Sequence, residues 1–147
     1  RQLQAMLRGL IEGESDAIAN QANFAALVYQ HVPELNWAGF YRLQDQMLVL
    51  GPFQGRPACV RIPVGQGVCG SAVARREAIL VADVHAFPGH IACDAASQSE
   101  LVAPLWQGTQ IIGVFDLDSP RPGRFDARDV DGVKLLLATL MSGGRPD

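Results

Sequence analysis

Along the N-terminal stretch the apolar residues Leu3, Met6, Leu7, Leu10 and Ile11 recur at three and four, and Ala17, Ile18, Phe24, Leu27 and Val28 continue the interval. That spacing lays them along one stripe of a helix and predicts two helices, or one with a break, over residues 1–32. The break belongs at Gly13, with Ser15 as the expected cap of the second helix and Pro33 as its stop. Three short runs rich in aromatic and branched residues come next: Trp37–Leu43, Met47–Pro52 and Cys59–Ile62. The turn-forming residues between them predict consecutive antiparallel strands. Trp37 and Tyr41 then share one face of the first strand, and Phe40 lies on the other.

From Pro63 to Ala78 the pattern is a glycine-rich turn feeding a short helix, followed by a strand at Ala78–Val81. Residues 82–99 have few periodic apolar positions, and connections of this length are usually functional or disordered. Val84, Phe87 and Ile91 can pin this one down, so it reads as an active-site lid that carries His85, His90 and Cys93. Strands resume at Glu100–Trp106 and Thr109–Leu117 with Gln107 and Gly108 as the hairpin turn. Val114, Asp116 and Asp118 fall on one face of the last strand, Phe115 and Leu117 on the other. A final helix over residues 126–142 starts at the cap Asp126 and aligns Val130, Val133, Lys134, Leu137 and Met141. The expected architecture is α/β of the α+β kind: one antiparallel sheet of about six strands, terminal helices on one face and the lid over the other.

Length and composition narrow the class. A chain of 147 residues, 48% hydrophobic and 18% charged, fits a single folded domain over residues 1–147. The formal charge of -3 offers no basic field, which excludes nucleic acid as an expected partner. No apolar run is long enough to span a bilayer, so no membrane partner is expected and the cytoplasm is the default compartment. Three cysteines, an odd number at wide spacing, argue against a secreted disulfide framework and for thiols kept reduced or used in chemistry.

The candidate chemistry centres on HIACDAASQSE (His90 to Glu100), which sets the thiol of Cys93 among small and polar residues. Cys69 is a rival nucleophile, because unpaired N–H groups at the start of its helix would lower its pKa. Gly65, Gly67 and Gly70 match the dinucleotide fingerprint, but the strand-helix-strand context and the ribose-binding acid are missing. Cys59, Cys69, Cys93, His85 and His90 are suitable zinc ligands without the close pairs that zinc sites use, so neither metal nor cofactor is expected. A cysteine hydrolase with His85 or His90 as base lacks a third orienting group.

The strings NWAGFY (Asn36 to Tyr41), LGPFQG (Leu50 to Gly55), ACVRIPVGQGVCG (Ala58 to Gly70), DVHAFPGHIACDAASQSELVAPL (Asp83 to Leu105) and IIGVFDLDSP (Ile111 to Pro120) resemble the free methionine-(R)-sulfoxide reductase family, within the GAF fold. The resemblance implies reduction of free L-methionine (R)-sulfoxide to methionine, with thioredoxin as reductant and no cofactor. It implies Cys93 as nucleophile, Cys59 as its resolving partner and Cys69 as a secondary thiol. Glu100, Asp116 and Asp118 become the acids, one of them holding a proton for the leaving oxygen. Trp37, Tyr41, Ile91 and Ala92 become the substrate-binding wall. The alternative is a sensory GAF module that binds a small ligand without turnover. The amphipathic N-terminal helices make a homodimer an expectation.

Overall fold

In the computed structural model, which describes residues 2–91, 93 and 95–143, the N-terminal helical period becomes two helices, α1 (Gln2–Ile11) and α2 (Ala17–His31). Gly13 stands between them at φ +76°, a left-handed conformation that costs glycine little. The cap of α2 is Asp16 rather than the expected Ser15: the helix starts one residue later, and the Asp16 carboxylate accepts the Ala19 N–H at 2.9 Å. The apolar stripe is also narrower than the spacing suggests. Leu7 and Ile11 are fully buried, whereas Met6, Leu10 and Ile18 lie on the flanks and stay exposed.

Six antiparallel strands form one sheet: β1 (Trp37–Gln44), β2 (Met47–Gly55), β3 (Arg61–Pro63), β4 (Ile79–Val81), β5 (Ser99–Gln107) and β6 (Gln110–Ser119). Their spatial order is β3-β2-β1-β6-β5-β4. The third strand is shorter and later than the expected Cys59–Ile62, because its ladder with β2 consists of Met47, Leu48 and Val49 against Pro63, Ile62 and Arg61. The last hairpin turns at Gly108 and Thr109, one residue beyond the expected pair, since Gln107 and Gln110 still face each other across the ladder. Gly108 takes the positive φ of +62° that this reversal needs.

Alternation along the strands sorts side chains into two layers. On one face Phe24 of α2 meets Phe40 of β1 and Phe115 of β6, with ring centroids 4.8 to 5.3 Å apart. Leu7, Ile11, Leu101, Leu117 and the apolar side of α4 (Ala127–Met141) complete this core. On the other face Trp37, Tyr41, Val102 and Val114 pack with Val68, Cys69 and Ala72 of α3 (Gly67–Arg75) and with Val84 of the connection that follows β4. The terminal helices therefore shield one side and leave the other to α3 and the long connection, as expected.

Helix α4 buries Val133, Leu136, Leu137 and Leu140. Lys134, which the sequence pattern puts on the stripe, is exposed, because the rows three and four residues on from Val133 run through the leucines. Asp126 caps α4 in a reciprocal box: its carboxylate accepts the N–H groups of Arg128 and Asp129, and the Asp129 carboxylate accepts the N–H of Asp126. These bonds hold Asp126 below the usual carboxylate range. Its contribution is therefore present above that range and fades as acid protonates it. Asp126→Ala is expected to lower Tm by a few degrees near neutral pH, with the difference from the parent closing in acid; calorimetric scans across pH check this. Among the described residues no helix is long and apolar enough to cross a membrane.

Candidate active site

Strand register assembles the site. Asp118 of β6 pairs with Trp37 of β1 on one side and Glu100 of β5 on the other, so an indole and two carboxylates form a row across three strands. In the next row of the same face Asp116 sits between Gly39 and Val102. Gly39 is required there, because a Cβ would stand 2.7 Å from the Trp37 ring and closer still to Phe53. The missing side chain lets Trp37 stack with Phe53 (centroids 5.2 Å apart) and with Tyr41 (5.9 Å). The three acids expected from the sequence thus converge, all more than nine-tenths buried.

Both polar atoms of the aromatic wall hold backbone. Trp37 donates its indole N–H to the Arg56 carbonyl at 3.1 Å. Tyr41 donates its hydroxyl to the carbonyl of Cys59 at 2.8 Å. Tyr41 therefore anchors the backbone of Cys59 as well as lining the cavity, and its hydroxyl stays protonated, since burial and the neighbouring acids push its pKa far up. Cys59 and Cys93 are joined in a disulfide with their α carbons 5.3 Å apart, inside the usual range for a bridge. The two thiols paired by the family resemblance are thus in contact without rearrangement.

The connection that carries Cys93 is fastened at its base. Val84 donates its N–H to the Gln98 carbonyl, and Gln98 donates to Ser119 at the end of β6. Val84 is fully buried, with Phe87 and Ile91 packed against the same core. Further along, Gly67 at the start of α3 donates its N–H to the Gly89 carbonyl, and Ile91 lies close enough that a Cβ on Gly67 would meet it at 3.3 Å. Ile91 lines the cavity. Ala92 lies outside the described residues.

Cys69 corrects an expectation. Its place at the start of α3 suggests a thiol with a lowered pKa, yet it is almost fully buried and its Sγ lies 4.0 Å from Glu100 Oε2. Burial first, then the charges of Asp116, Glu100 and Asp118, push the thiol well above its ordinary value. Desolvation and three acids outweigh the helix terminus. The acids act on Asp116 as well. Asp116 is held well above the usual carboxylate range by burial and by the charges of Asp118 and Glu100. Glu100 is raised by burial, offset in part by proton sharing with Asp116 and by the nearby His90. Burial and neighbouring charge therefore favour a proton held within this cluster.

Together these groups line a cavity of about 40 Å³: Trp37, Tyr41, Cys69, Cys93 and the three acids, with Ala58, Ile62, Val68, His90, Ile91 and Ser97 closing it. Ser97 is a lining residue that sequence reasoning misses; its hydroxyl accepts from the side chain of Asn36 at 3.1 Å. The available signal is its position in SQSE beside Glu100. His90, which the sequence offers only as a hydrolase base or zinc ligand, lines the cavity instead. A larger groove of about 510 Å³ between α4 and β5 is lined by Arg76, Trp106, Lys134 and Met141 and gathers no nucleophile.

The fold and the acid-lined face of the sheet define a GAF domain, and the GAF domain family model matches residues 19–142. Free methionine-R-sulfoxide reductase of Escherichia coli (strain K12) is 57% identical over 131 residues, covering 89% of this chain and 79% of that protein. The reduced form of fRMsr of Staphylococcus aureus superposes with a TM-score of 0.94 at 46% identity, covering 98% of this chain and 94% of the other. Free methionine-R-sulfoxide reductase from Neisseria meningitidis, solved in complex with its substrate, gives 0.94 at 40% identity over 98% of this chain and 87% of the other. The chain belongs to the free methionine-R-sulfoxide reductase family.

Proposed function

We propose that this protein reduces free L-methionine (R)-sulfoxide to methionine, with Cys93 as nucleophile and the buried acids as the proton source. The observation that carries this reading is the Cys59–Cys93 disulfide at a cavity lined by Glu100, Asp116 and Asp118. A sulfoxide sulfur accepts a thiolate only when its oxygen is protonated or strongly hydrogen-bonded. Asp116, the acid whose proton is favoured by burial and by both neighbouring carboxylates, supplies it.

Attack by Cys93 transfers the oxygen to the protein: thiol and sulfoxide become sulfenic acid and methionine. Cys59 condenses with the sulfenic acid, releasing water and forming the disulfide before further oxidation can occur. A thioredoxin dithiol then exchanges with the disulfide, which returns both thiols and suits a cytoplasmic setting. Cys69 remains a secondary thiol close to the acids. The ammonium of the substrate pairs with the carboxylates that remain ionised, while Trp37, Tyr41 and Ile91 bound the methyl and the sulfur.

About 40 Å³ holds two or three waters, well below the roughly 300 Å³ of small-molecule sites. Residues 82–99 accordingly act as a lid over the single domain, drawn shut by the disulfide and released on reduction to admit the amino acid. A chamber that encloses a whole free amino acid rejects methionine within a peptide. The exposed Met6 and Leu10 of α1 suit a homodimer contact. A purely sensory GAF module leaves the disulfide beside protonated acids without a role.

Thioredoxin, its reductase and NADPH with each pure epimer test the reading. Oxidation of NADPH is expected with free (R)-sulfoxide and little with the (S)-epimer or with peptide sulfoxide; equal turnover of both epimers would refute it.

A further inference from the structure

Cys69 Sγ and one carboxylate oxygen each of Glu100 and Asp116 lie within 4.8 Å of one another, and all three residues are more than nine-tenths buried. This set differs from the cysteine and histidine combination that the sequence suggests. It spans α3, β5 and β6, elements fixed by the two cores, and does not use the connection that carries Cys93. A second feature points into the same space: Asp116 lines the cavity, and its Oδ1 is buried with no hydrogen-bond partner among the described residues. An unsatisfied buried carboxylate oxygen costs free energy that a cation beside it would remove.

We propose that Cys69, Glu100 and Asp116 form a binding site for a thiophilic divalent cation of the zinc class, and that a cation held there excludes the substrate. One sulfur and two oxygens are a mixed donor set that zinc accepts in tetrahedral geometry, with a fourth position left for water. Magnesium and calcium prefer oxygen alone. Zinc–sulfur and zinc–oxygen bonds of about 2.3 and 2.1 Å require donors somewhat closer than the 4.0 Å between Cys69 Sγ and Glu100 Oε2, a contraction within the reach of side-chain rotation. Binding forms the sulfur–metal bond and the carboxylate–metal bonds and releases to solvent both the Cys69 thiol proton and the proton shared among the acids, so charge and atoms balance without any redox change.

The small cavity adds selectivity. A space of about 40 Å³ accommodates an ion and a water but no amino acid. Cys69 is the free cysteine when Cys59 and Cys93 are bridged. The disulfide form therefore takes the cation while closed to substrate, and the reduced form takes one or the other. The site lies on the acids of the proposed reaction, yet cation binding is read without turnover, so the two readings fail separately.

The test is titration of the disulfide form with Cd²⁺, which reports a thiolate ligand by an ultraviolet charge-transfer band. One saturating equivalent per chain is expected, displaced by Zn²⁺ and not by Mg²⁺. The band is lost in Cys69→Ser, retained in the double variant Cys59→Ser with Cys93→Ser, and shifted to about tenfold or more higher Cd²⁺ in Asp116→Asn. No band in the parent protein, or a band that survives Cys69→Ser, would overturn the proposal. So would binding detected by calorimetry without the band, which would move the ion to residues such as His85 and His90.

Discussion

Cys93→Ser is expected to abolish turnover of free methionine (R)-sulfoxide, with kcat falling by at least about a thousandfold. Serine is nearly isosteric, so the cavity and the acids stay in place while the nucleophile is lost. The same change removes the Cys59–Cys93 bridge. Substrate binding is expected to survive or improve, so the variant separates the enzyme from the sensor: an equilibrium titration with the sulfoxide gives saturation, and the coupled assay gives no rate. Cys59→Ser differs in kind. It retains a single turnover, in which one methionine is released and Cys93 stops at the sulfenic acid, and it loses multiple turnover. A Cys93→Ser protein that still cycles would move the nucleophile elsewhere in the chain.

Asp116→Asn is expected to cut kcat about a hundredfold to ten-thousandfold, the usual range for a positioned proton donor, and at the same time to raise thermal stability. Both effects have one origin. Burial and the charges of Asp118 and Glu100 keep the Asp116 proton bound in the folded chain above the usual carboxylate range. The unfolded chain has released that proton once pH exceeds the ordinary aspartate value, so the unfolded state binds fewer protons and stability falls as pH rises. The stability linked to this group is fully present below the ordinary value and is lost as pH climbs through the raised one. An amide carries no such linkage. The gain in Tm for Asp116→Asn is therefore expected to grow from acid toward neutral pH, and scans at several pH values measure it. A variant that is less active and no more stable would place the shared proton on Glu100.

Much of this arrangement is legible in the chain because strand period is two. The run from Val114 to Asp118 assigns Asp116 and Asp118 to one face and Phe115 and Leu117 to the other without reference to any partner, and the structure keeps that division. The cross-strand row of Trp37, Asp118 and Glu100 is different in nature. It depends on antiparallel register, and the β1–β2 and β5–β6 ladders shift register at Gly39/Tyr41 and Leu105/Trp106, irregularities that side-chain pattern does not encode. The Cys69 environment is hidden from the sequence for a related reason. A helix terminus is a local feature, whereas Glu100 and Asp116 come from strands about thirty and nearly fifty residues downstream and reverse its effect. Ser15 and Asp16 are both good caps, and only the backbone decides between neighbours. Phe53 completes the aromatic stack because Gly39 leaves space beneath it, a consequence visible only once β1 and β2 are paired.

Single-turnover chemistry separates a thiol-based reductase from a domain that only binds the sulfoxide. Fully reduced protein mixed with one equivalent of free methionine (R)-sulfoxide, without reductant, is predicted to yield one methionine per chain, to lose two titratable thiols, and to show by peptide mapping a disulfide between Cys59 and Cys93. Methionine formed with all thiols intact, or thiols lost with no methionine released, would rule out Cys93 and Cys59 as the reducing pair.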